Sequence, residues 1–457
     1  MSSTDTSIAA EQRLQGRQRR REVSREAVAA WSFPPDRPDP VETVVQEDAD
    51  RVPELVPIRH ARMAASPFAF FRGSASIMAA DLADCPSSGI EVQSCGDAHL
   101  ANFGVFATPE RRLVFDLNDF DETLQAPFEW DVKRLAASFV VAAKALGVGK
   151  SGQESLAGAA VRQYRLAILR DAERPLLDVW FQSVPVDTLV EQLLSRAGKQ
   201  ARQRAKQGLR KTRGRTNLGA LGRFAELTDD GWRIKPQPPL IQTYERTARD
   251  EKRVAAMFSK YANTLSPERQ QLFSSYRLAD FARKVVGVGS VGTEAFMFLF
   301  IGPQGDDPLF LQLKQAGTSC LAKYVDQPPA RHEGQRIVDG QRAMQAASDA
   351  FLGWTSGGTK NAQHFYVRQL RDMKGSANLD RMSRAELDVY AKLCGETLAR
   401  AHARSGRAPA IAGYVGRGEV FERKLARSAV KYARQTESDH AAFVQASESG
   451  RLAVQSA

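Results

Sequence analysis

The stretch CGDAHLANFG, Cys95–Gly104, sets an acid, a histidine and an asparagine into an otherwise small and apolar run, and thirteen residues past Asn102 the chain reads FDLNDFDE, Phe115–Glu122. On either side, GIEVQS (89–94) and RRLVFDL (111–117) have the composition of short strands, so Asp97, His99 and Asn102 fall on a loop between them. Phosphoryl transfer needs such a D-x-x-x-x-N loop followed by a strand that ends in Asp. One carboxylate accepts or orients the acceptor hydroxyl, while an amide and a second carboxylate hold magnesium on the nucleotide phosphates. Asp97 and Asn102 have that spacing, Asp116 follows directly behind LVF, and Asn102, Asp116 and Asp119 of the same acidic cluster are the candidate metal ligands. Taken alone, the segment reads equally well as an Asx-rich turn whose side chains cap the backbone. A calcium loop is excluded, because the EF-hand pattern needs Gly sixth and Glu twelfth, where this chain has Asp121 and Pro127.

The second motif is GVGSVG, Gly287–Gly292, which includes Gly289 and Ser290 and follows a strand-like KVV. Both dinucleotide sites and kinase glycine loops contain G-x-G-x-x-G. A dinucleotide fingerprint opens a helix, whereas TEAFMFLFIG behind this one is β-rich, so the segment predicts a strand, glycine loop, strand hairpin that covers phosphates with backbone amides. Lys314 in LFLQLKQA ends the next strand, placed to reach the α and β phosphates, and a helix with a glutamate should follow to hold it. Glu333 in ARHEGQRIVDGQ is the candidate; the bland readings are a solvated strand-edge lysine and a solvated helix glutamate. His99 lacks a second His or Cys at ligand spacing, so it orients the loop by a hydrogen bond, with catalysis by His99 the lesser reading. Asp131 in PFEWDVKRL is costly to bury unpaired and is expected to brace the loop.

The 457 residues suffice for two or three domains, and 43% hydrophobic content can supply a core. No run approaches the roughly 18 uninterrupted apolar residues of a membrane span. The polar N-terminus has no apolar h-region, which points to the cytoplasm. Cys85, Cys95, Cys320 and Cys394 are widely spread without C-x-x-C spacing, as expected of reduced thiols rather than zinc ligands. Much of the net charge of +11 is local: nine Lys or Arg and no acid lie between Arg196 and Arg215.

Residues 1–55 read as a charged, Pro-rich arm that wraps or trails; 56–275 as a helical lobe with the catalytic-loop and metal-binding motifs and the basic segment 196–215. Residues 276–375 read as a β-rich nucleotide-binding lobe, and 376–457 as helices packing back on the helical lobe. Within the last, SRAELDVYAKLCGETLARAHARSG predicts a long helix capped by Ser383, with Glu386 completing a capping box.

SPFAFFRGSASIMAADL, CGDAHLANFG, VFDLNDFDETLQAPFEWDVKRLAAS, GVGSVGTEAF, LFLQLKQA, VRQLRDMKGS and LARAHARSG, in that order from about Arg21 to about Ala442, resemble the bacterial DUF2252 family. That resemblance gives a family without a substrate. CGDAHLAN, FDLNDFDE and PFEWDVKRLA are also similar, more distantly, to the aminoglycoside and choline phosphotransferases, in which HGDxHxxN precedes an Ile-Asp-Phe strand end and an Asp-Leu-Ala helix. On that similarity Asp97 is the catalytic base, Asn102 and Asp116 are magnesium ligands and Asp131 is the structural aspartate. Cys95 stands where those enzymes have histidine, and Gln315 where the DUF2252 family tends to have Glu. Kinases run from glycine loop to catalytic loop, and here the catalytic loop comes first. The resemblance therefore implies an α+β, protein-kinase-like two-lobe fold in circular permutation, with ATP and Mg2+ as cofactors.

The leading expectation is an ATP-dependent phosphotransferase acting on an unidentified acceptor, with nucleotidyl transfer using the same parts. The rival class is a nucleotide-binding pseudoenzyme or a nucleic-acid-associated protein using the basic segment. No aromatic residue lies between Phe181 and Phe224, so that segment has no stacking platform, and a lid over substrate phosphates is an equal reading of it. A Rossmann oxidoreductase is disfavoured by the strand behind the glycine loop.

Overall fold

The computed structural model describes residues 7–186, 198–244, 247–285, 291–357, 363–370 and 373–455. Near the opening motif, β1 (Glu91–Ser94), β2 (Phe103–Ala107), β3 (Leu113–Leu117) and β4 (Leu124–Pro127) form two antiparallel ladders, β1 with β4 and β2 with β3. The chain therefore passes from one ladder to the other twice, once through residues 95–102 and once through 118–123, and the two crossing loops lie side by side. The Asn118 N–H donates to the Asn102 carbonyl at 2.8 Å, which ties them together. Two motifs separated in sequence thus share one edge.

Downstream, β5 (Ala225–Thr228) and β6 (Gly231–Ile234) form a hairpin, and β7 (Ile241–Gln242), β8 (Arg277–Lys284), β9 (Ala295–Ile301), β10 (Pro308–Gln315), β11 (Gly353–Gly357) and β12 (Gln363–Gln369) form one antiparallel sheet in the order β11-β12-β10-β9-β8-β7. Alternation along the strands gives the sheet two apolar faces. Phe298, Phe300, Leu311 and Leu313 meet Val254, Phe258 and Tyr261 of the helix Ala248–Ala262. Met297, Leu299 and Phe310 meet Ala220, Leu221 and Phe224 of the helix Asn217–Phe224. Lys314 shares the second parity and stands opposite Tyr366 on β12 and Ala295 on β9. The helices Asn217–Phe224 and Ala248–Ala262, on the stretch the sequence assigned to the helical lobe, thus pack on the two faces of the sheet. A short strand β13 (Gly375–Ser376) returns to pair with β2.

The largest core gathers around the helix Phe128–Ala145, which is buried from Phe128 to Ala143. The helices Lys150–Asp171, Arg384–His402 and Val420–Glu448 pack around it. Ser383 and Glu386 exchange the two hydrogen bonds of the capping box, as the sequence predicted. The fold is mixed α+β with antiparallel sheets. Among the described residues, no helix is long and apolar enough to cross a membrane.

The N-terminal segment, read as an arm that wraps or trails, packs against the body of the fold. It forms helices Ile8–Glu22, Arg25–Ala29 and Pro40–Asp48, and Val28, Trp31, Val41 and Val44 are buried. Its charge hid that inward face. The first helix crosses the helix Ala408–Val415 so closely that a Cβ on Gly16 would lie 1.9 Å from the Ala410 carbonyl oxygen, and one on Gly413 2.3 Å from the Arg13 oxygen. Arg37 joins two buried acids, with Nε 2.6 Å from Asp81 Oδ1 and Nη2 2.7 Å from Asp439 Oδ2.

Candidate active site

The loop after β1 turns at Gly96, whose φ of +80° suits glycine and whose added Cβ would sit 2.2 Å from the Glu122 carbonyl oxygen. Its backbone is held from below. The Cys95 N–H donates to Asp131 Oδ2 at 2.7 Å and the Gly96 N–H to Asp131 Oδ1 at 2.9 Å. Asp131 is buried in the first turn of the helix Phe128–Ala145, where a carboxylate is also favoured by the helix dipole. His402 Nε2 lies 3.1 Å from Asp131 Oδ2, and its Nδ1 lies 2.8 Å from the Tyr164 hydroxyl. Those partners assign the Nε2–H tautomer, with Nδ1 accepting from the hydroxyl. The bracing that the sequence assigned to Asp131 is therefore carried by two N–H bonds, with His402 as an addition from a helix near the other end of the chain.

On this brace, Asp97 projects a mostly buried carboxylate that reaches the cleft and whose Oδ1 accepts from Arg134 Nε at 2.5 Å. Arg134 is itself buried, lies over the Phe71 ring and donates through Nη2 to the Phe71 carbonyl. Asn102 Nδ2 donates to the Asp97 carbonyl at 2.7 Å, which fixes the amide at the other end of the loop. His99 is 2% exposed; its Nδ1 accepts from the Ala101 N–H, and its Nε2 stands 3.6 Å from Asp97 Oδ2. Burial, with Arg72 and Arg134 adding to it against the pull of Asp97, lowers the imidazole to about 3. His99 is neutral at physiological pH and positions the loop, as the hydrogen-bonding reading had it.

The acidic loop places its residues differently from the sequence reading. Asp116 is 0% exposed on β3, faces inward, and its Oδ1 lies 2.7 Å from Arg400 Nη2 while Oδ2 accepts from the Ala346 N–H. A strand buried at each of its five residues gives this acid no view of the cleft. The metal assignment made for Asp116 thus falls on a group already committed to an internal ion pair. Past the strand end, Asp119 and Asp121 flank the buried Phe120, and both line a cleft of about 470 Å³ together with Asp97, Asn102, Cys95, Glu122, Glu47, Arg51 and Arg72.

Lys314 enters this site from β10. It pairs with Asp121 Oδ2, and the Tyr366 hydroxyl donates to Asp121 Oδ1 at 2.9 Å. Burial alone would lower the ammonium, but Asp119 and Asp121 outweigh it and hold Lys314 raised. Burial likewise opposes ionisation of Asp121, and Lys314 and Tyr366 overcome it, so that carboxyl lies below its usual range. Asp119 goes the other way: burial first, then the charge of Asp121, raise it. Its Oδ1 is buried and accepts no hydrogen bond from a described residue.

Glu333, expected to hold Lys314, instead accepts from Arg336 Nε at 2.5 Å. The helix Glu333–Met344 begins at that residue, so its side chain lies at the helix mouth and reaches one turn along rather than across to the strand. Arg336 donates to the Thr123, Asp121 and Gly317 carbonyls, so the pair secures the acidic loop.

Gly287, Gly289 and Ser290 lie outside the described residues. Gly292 has φ +93°, and its carbonyl accepts the Val52 N–H at 2.7 Å, while Arg51 Nη1 donates to the Val291 carbonyl at 2.6 Å. The N-terminal segment is thereby fastened to the end of the glycine stretch and contributes Arg51 and Glu47 to the cleft. The basic segment forms the helix Gly198–Arg213, in which Arg204 pairs with Glu386 at 2.9 Å while Lys206, Arg210 and Lys211 are exposed.

Arg134, Asp121, Tyr366, His402, Arg51 and Arg72 were not singled out from the sequence. Arg134 alone had a local signal, one helical turn beyond Asp131. Among the described residues, no group of three or more His, Cys, Asp and Glu is arranged to hold a metal ion.

A family model described as an uncharacterized protein conserved in bacteria, DUF2252, matches residues 51–446. The match spans each cleft residue named above except Glu47, and leaves out the helices before residue 51. No curated protein and no solved structure matches the chain.

Proposed function

This chain belongs to the DUF2252 family of bacterial proteins, and from its cleft we propose that it is an ATP- and magnesium-dependent phosphotransferase with a kinase-like arrangement in permuted order. The observation that carries this reading is the charge balance of the cleft. Asp97 is paired with Arg134 and Asp121 with Lys314, whereas Asp119 has a buried oxygen without a donor. A buried carboxylate left in that state favours a cation.

Asn102 and Asp119 would hold magnesium. Two protein ligands fit that ion, which keeps waters and takes its remaining ligands from phosphates rather than from a protein cage. When bound, the ion neutralises charge on the nucleotide phosphates. Lys314, kept cationic by its neighbours, adds a fixed positive charge at the same edge of the sheet. Asp97, held by Arg134 at one oxygen, keeps its second oxygen for an acceptor hydroxyl. Phosphoryl transfer asks such a group chiefly for position, because its transition state is loose. The brace from Asp131 supplies that position.

Calorimetric titration with ATP, with and without magnesium, tests the reading in wild type and Asp119→Ala. Magnesium-dependent binding that falls by at least about 100-fold in the variant, ~2.7 kcal/mol, is expected. Absence of ATP binding by the wild type overturns the reading. Product analysis then separates the two transfers available to these residues: ADP marks phosphoryl transfer, and pyrophosphate marks nucleotidyl transfer.

A further inference from the structure

Arginines near the cleft are almost all spoken for. Arg59 is fully buried and donates to Asp48, Glu47 and the Gly73 carbonyl. Arg134 has Asp97 and the Phe71 carbonyl. Arg72, at the end of the helix Pro67–Gly73 and between these two in the fold, has neither a hydrogen bond nor an ion pair to any described residue, and its Nε is buried without an acceptor. Yet it lines a cleft that also presents Asp97, Asp119, Asp121 and Glu122. Gly73 and Ala75 line the cleft beside it.

A guanidinium in a carboxylate-rich cleft that forms no ion pair has been held off the carboxylates by its backbone and packing. Its planar fork matches phosphate and carboxylate oxyanions. Its position selects which end of the cleft it serves. Arg72 comes from the helical side, where its charge acts on His99 next to Asp97, whereas Lys314 approaches from the sheet. Arg51 adds a second guanidinium from the segment fastened to Val291 and Gly292.

We propose that Arg72, with Arg51 beside the cleft, grips an oxyanion on the acceptor, so that the acceptor is an anionic molecule bearing a phosphate or carboxylate near the hydroxyl presented to Asp97. The proposal rests on the phosphotransferase reading for the word acceptor, and on Arg72 itself for the anion site.

The test uses full-length protein, Arg72→Gln and Arg72→Lys. Each is first titrated with magnesium and the non-hydrolysable ATP analogue AMP-PNP, then, at saturation, with inorganic phosphate and separately with acetate. Because the analogue fills the γ-phosphate position, phosphate bound afterwards reports a separate anion site. Phosphate affinity at least tenfold weaker in Arg72→Gln is expected, with an intermediate loss in Arg72→Lys, which keeps the charge without the fork. Analogue affinity should stay within twofold of wild type. Since Arg72 has no described partner to lose, both variants should melt within a few degrees of wild type. Tighter binding of phosphate than acetate assigns a phosphorylated acceptor, and the reverse a carboxylic acid. Equal phosphate affinity in wild type and Arg72→Gln overturns the proposal, as does a tenfold loss of analogue affinity, which would place Arg72 on the nucleotide. If wild type binds no analogue, the phosphotransferase reading fails on its own, and the phosphate titration of nucleotide-free protein still decides whether Arg72 makes an anion site.

Discussion

Replacing His99 with Asn should change the acid limb of the stability curve more than the stability at neutral pH. His99 is buried and its imidazole is lowered from 6.5 to about 3, by burial first and by Arg72 and Arg134. In the unfolded chain the same group takes a proton near 6.5. Its contribution is therefore fully present above the unfolded value and is lost as pH falls toward the folded one. At ~1.36 kcal/mol per pH unit, the gap from 6.5 to about 3 bounds the whole loss at about 5 kcal/mol. Between pH 6.5 and 5 the loss is about 2 kcal/mol, inside the range where the protein can be handled. Asn keeps an oxygen for the Ala101 N–H, which His99 Nδ1 now accepts, and is a good residue at such a cap. Loss of the ring costs on the order of 1 kcal/mol at every pH. Urea unfolding of both proteins at pH 7, 6 and 5, without magnesium, should show the wild type losing about 2 kcal/mol more than the variant over that span. Carboxylates common to both cancel in the difference. Curves that stay parallel within about 0.5 kcal/mol would refute the buried, neutral imidazole.

Asp131→Ala should lower stability by about 3–5 kcal/mol in urea unfolding, because it strands the Cys95 and Gly96 N–H groups and the His402 ring; magnesium-dependent nucleotide affinity should fall with it. Lys314→Met should cost about 2 kcal/mol by leaving the partly exposed Asp121 carboxylate without its ammonium partner. Asp121 now stabilises the fold above the ordinary carboxylate range and loses that as pH falls through its lowered value, so the deficit of the variant should shrink in acid. Arg37→Met should cost ~3–5 kcal/mol by unpairing the buried Asp81 and Asp439, read by urea unfolding at pH 7.

Local rules made part of this site legible. Loop and strand could be told apart around Asp97 because turn residues interrupt apolar runs, and Lys314 stood out at the end of the apolar strand behind the glycine motif. The capping box at Ser383 needed only four residues. What could not be read was long-range: Lys314 meets Asp121 across 193 positions of sequence, and His402 meets Asp131 across 271. Asp116 illustrates a different failure. Its motif position suggested a ligand, yet it lies inside the apolar run LVFDL, and only where that run breaks, at Asn118, does the chain emerge toward the cleft. The acid that follows the break, Asp119, also named as a ligand from the sequence, is the one that lines the cleft. For the N-terminal segment, charge on one face masked the period of Val28, Trp31, Val41 and Val44 on the other.

On the proposed reading, chain order matters less than which pairs close in space. The catalytic loop is ordered from below by Asp131 and His402, two residues that flank it in the fold although one follows it closely and the other comes near the end of the chain. The acidic loop is ordered from above by Lys314, Tyr366 and Arg336, all from the sheet side. Each loop is thus held by its own set of side chains, and the Asn118–Asn102 hydrogen bond is where the two meet. Asp119 lies between these two anchored groups with one oxygen unused. A cation bound there would tie the two loops together, which is a reason for its carboxylate to be left unpaired while its neighbours are not.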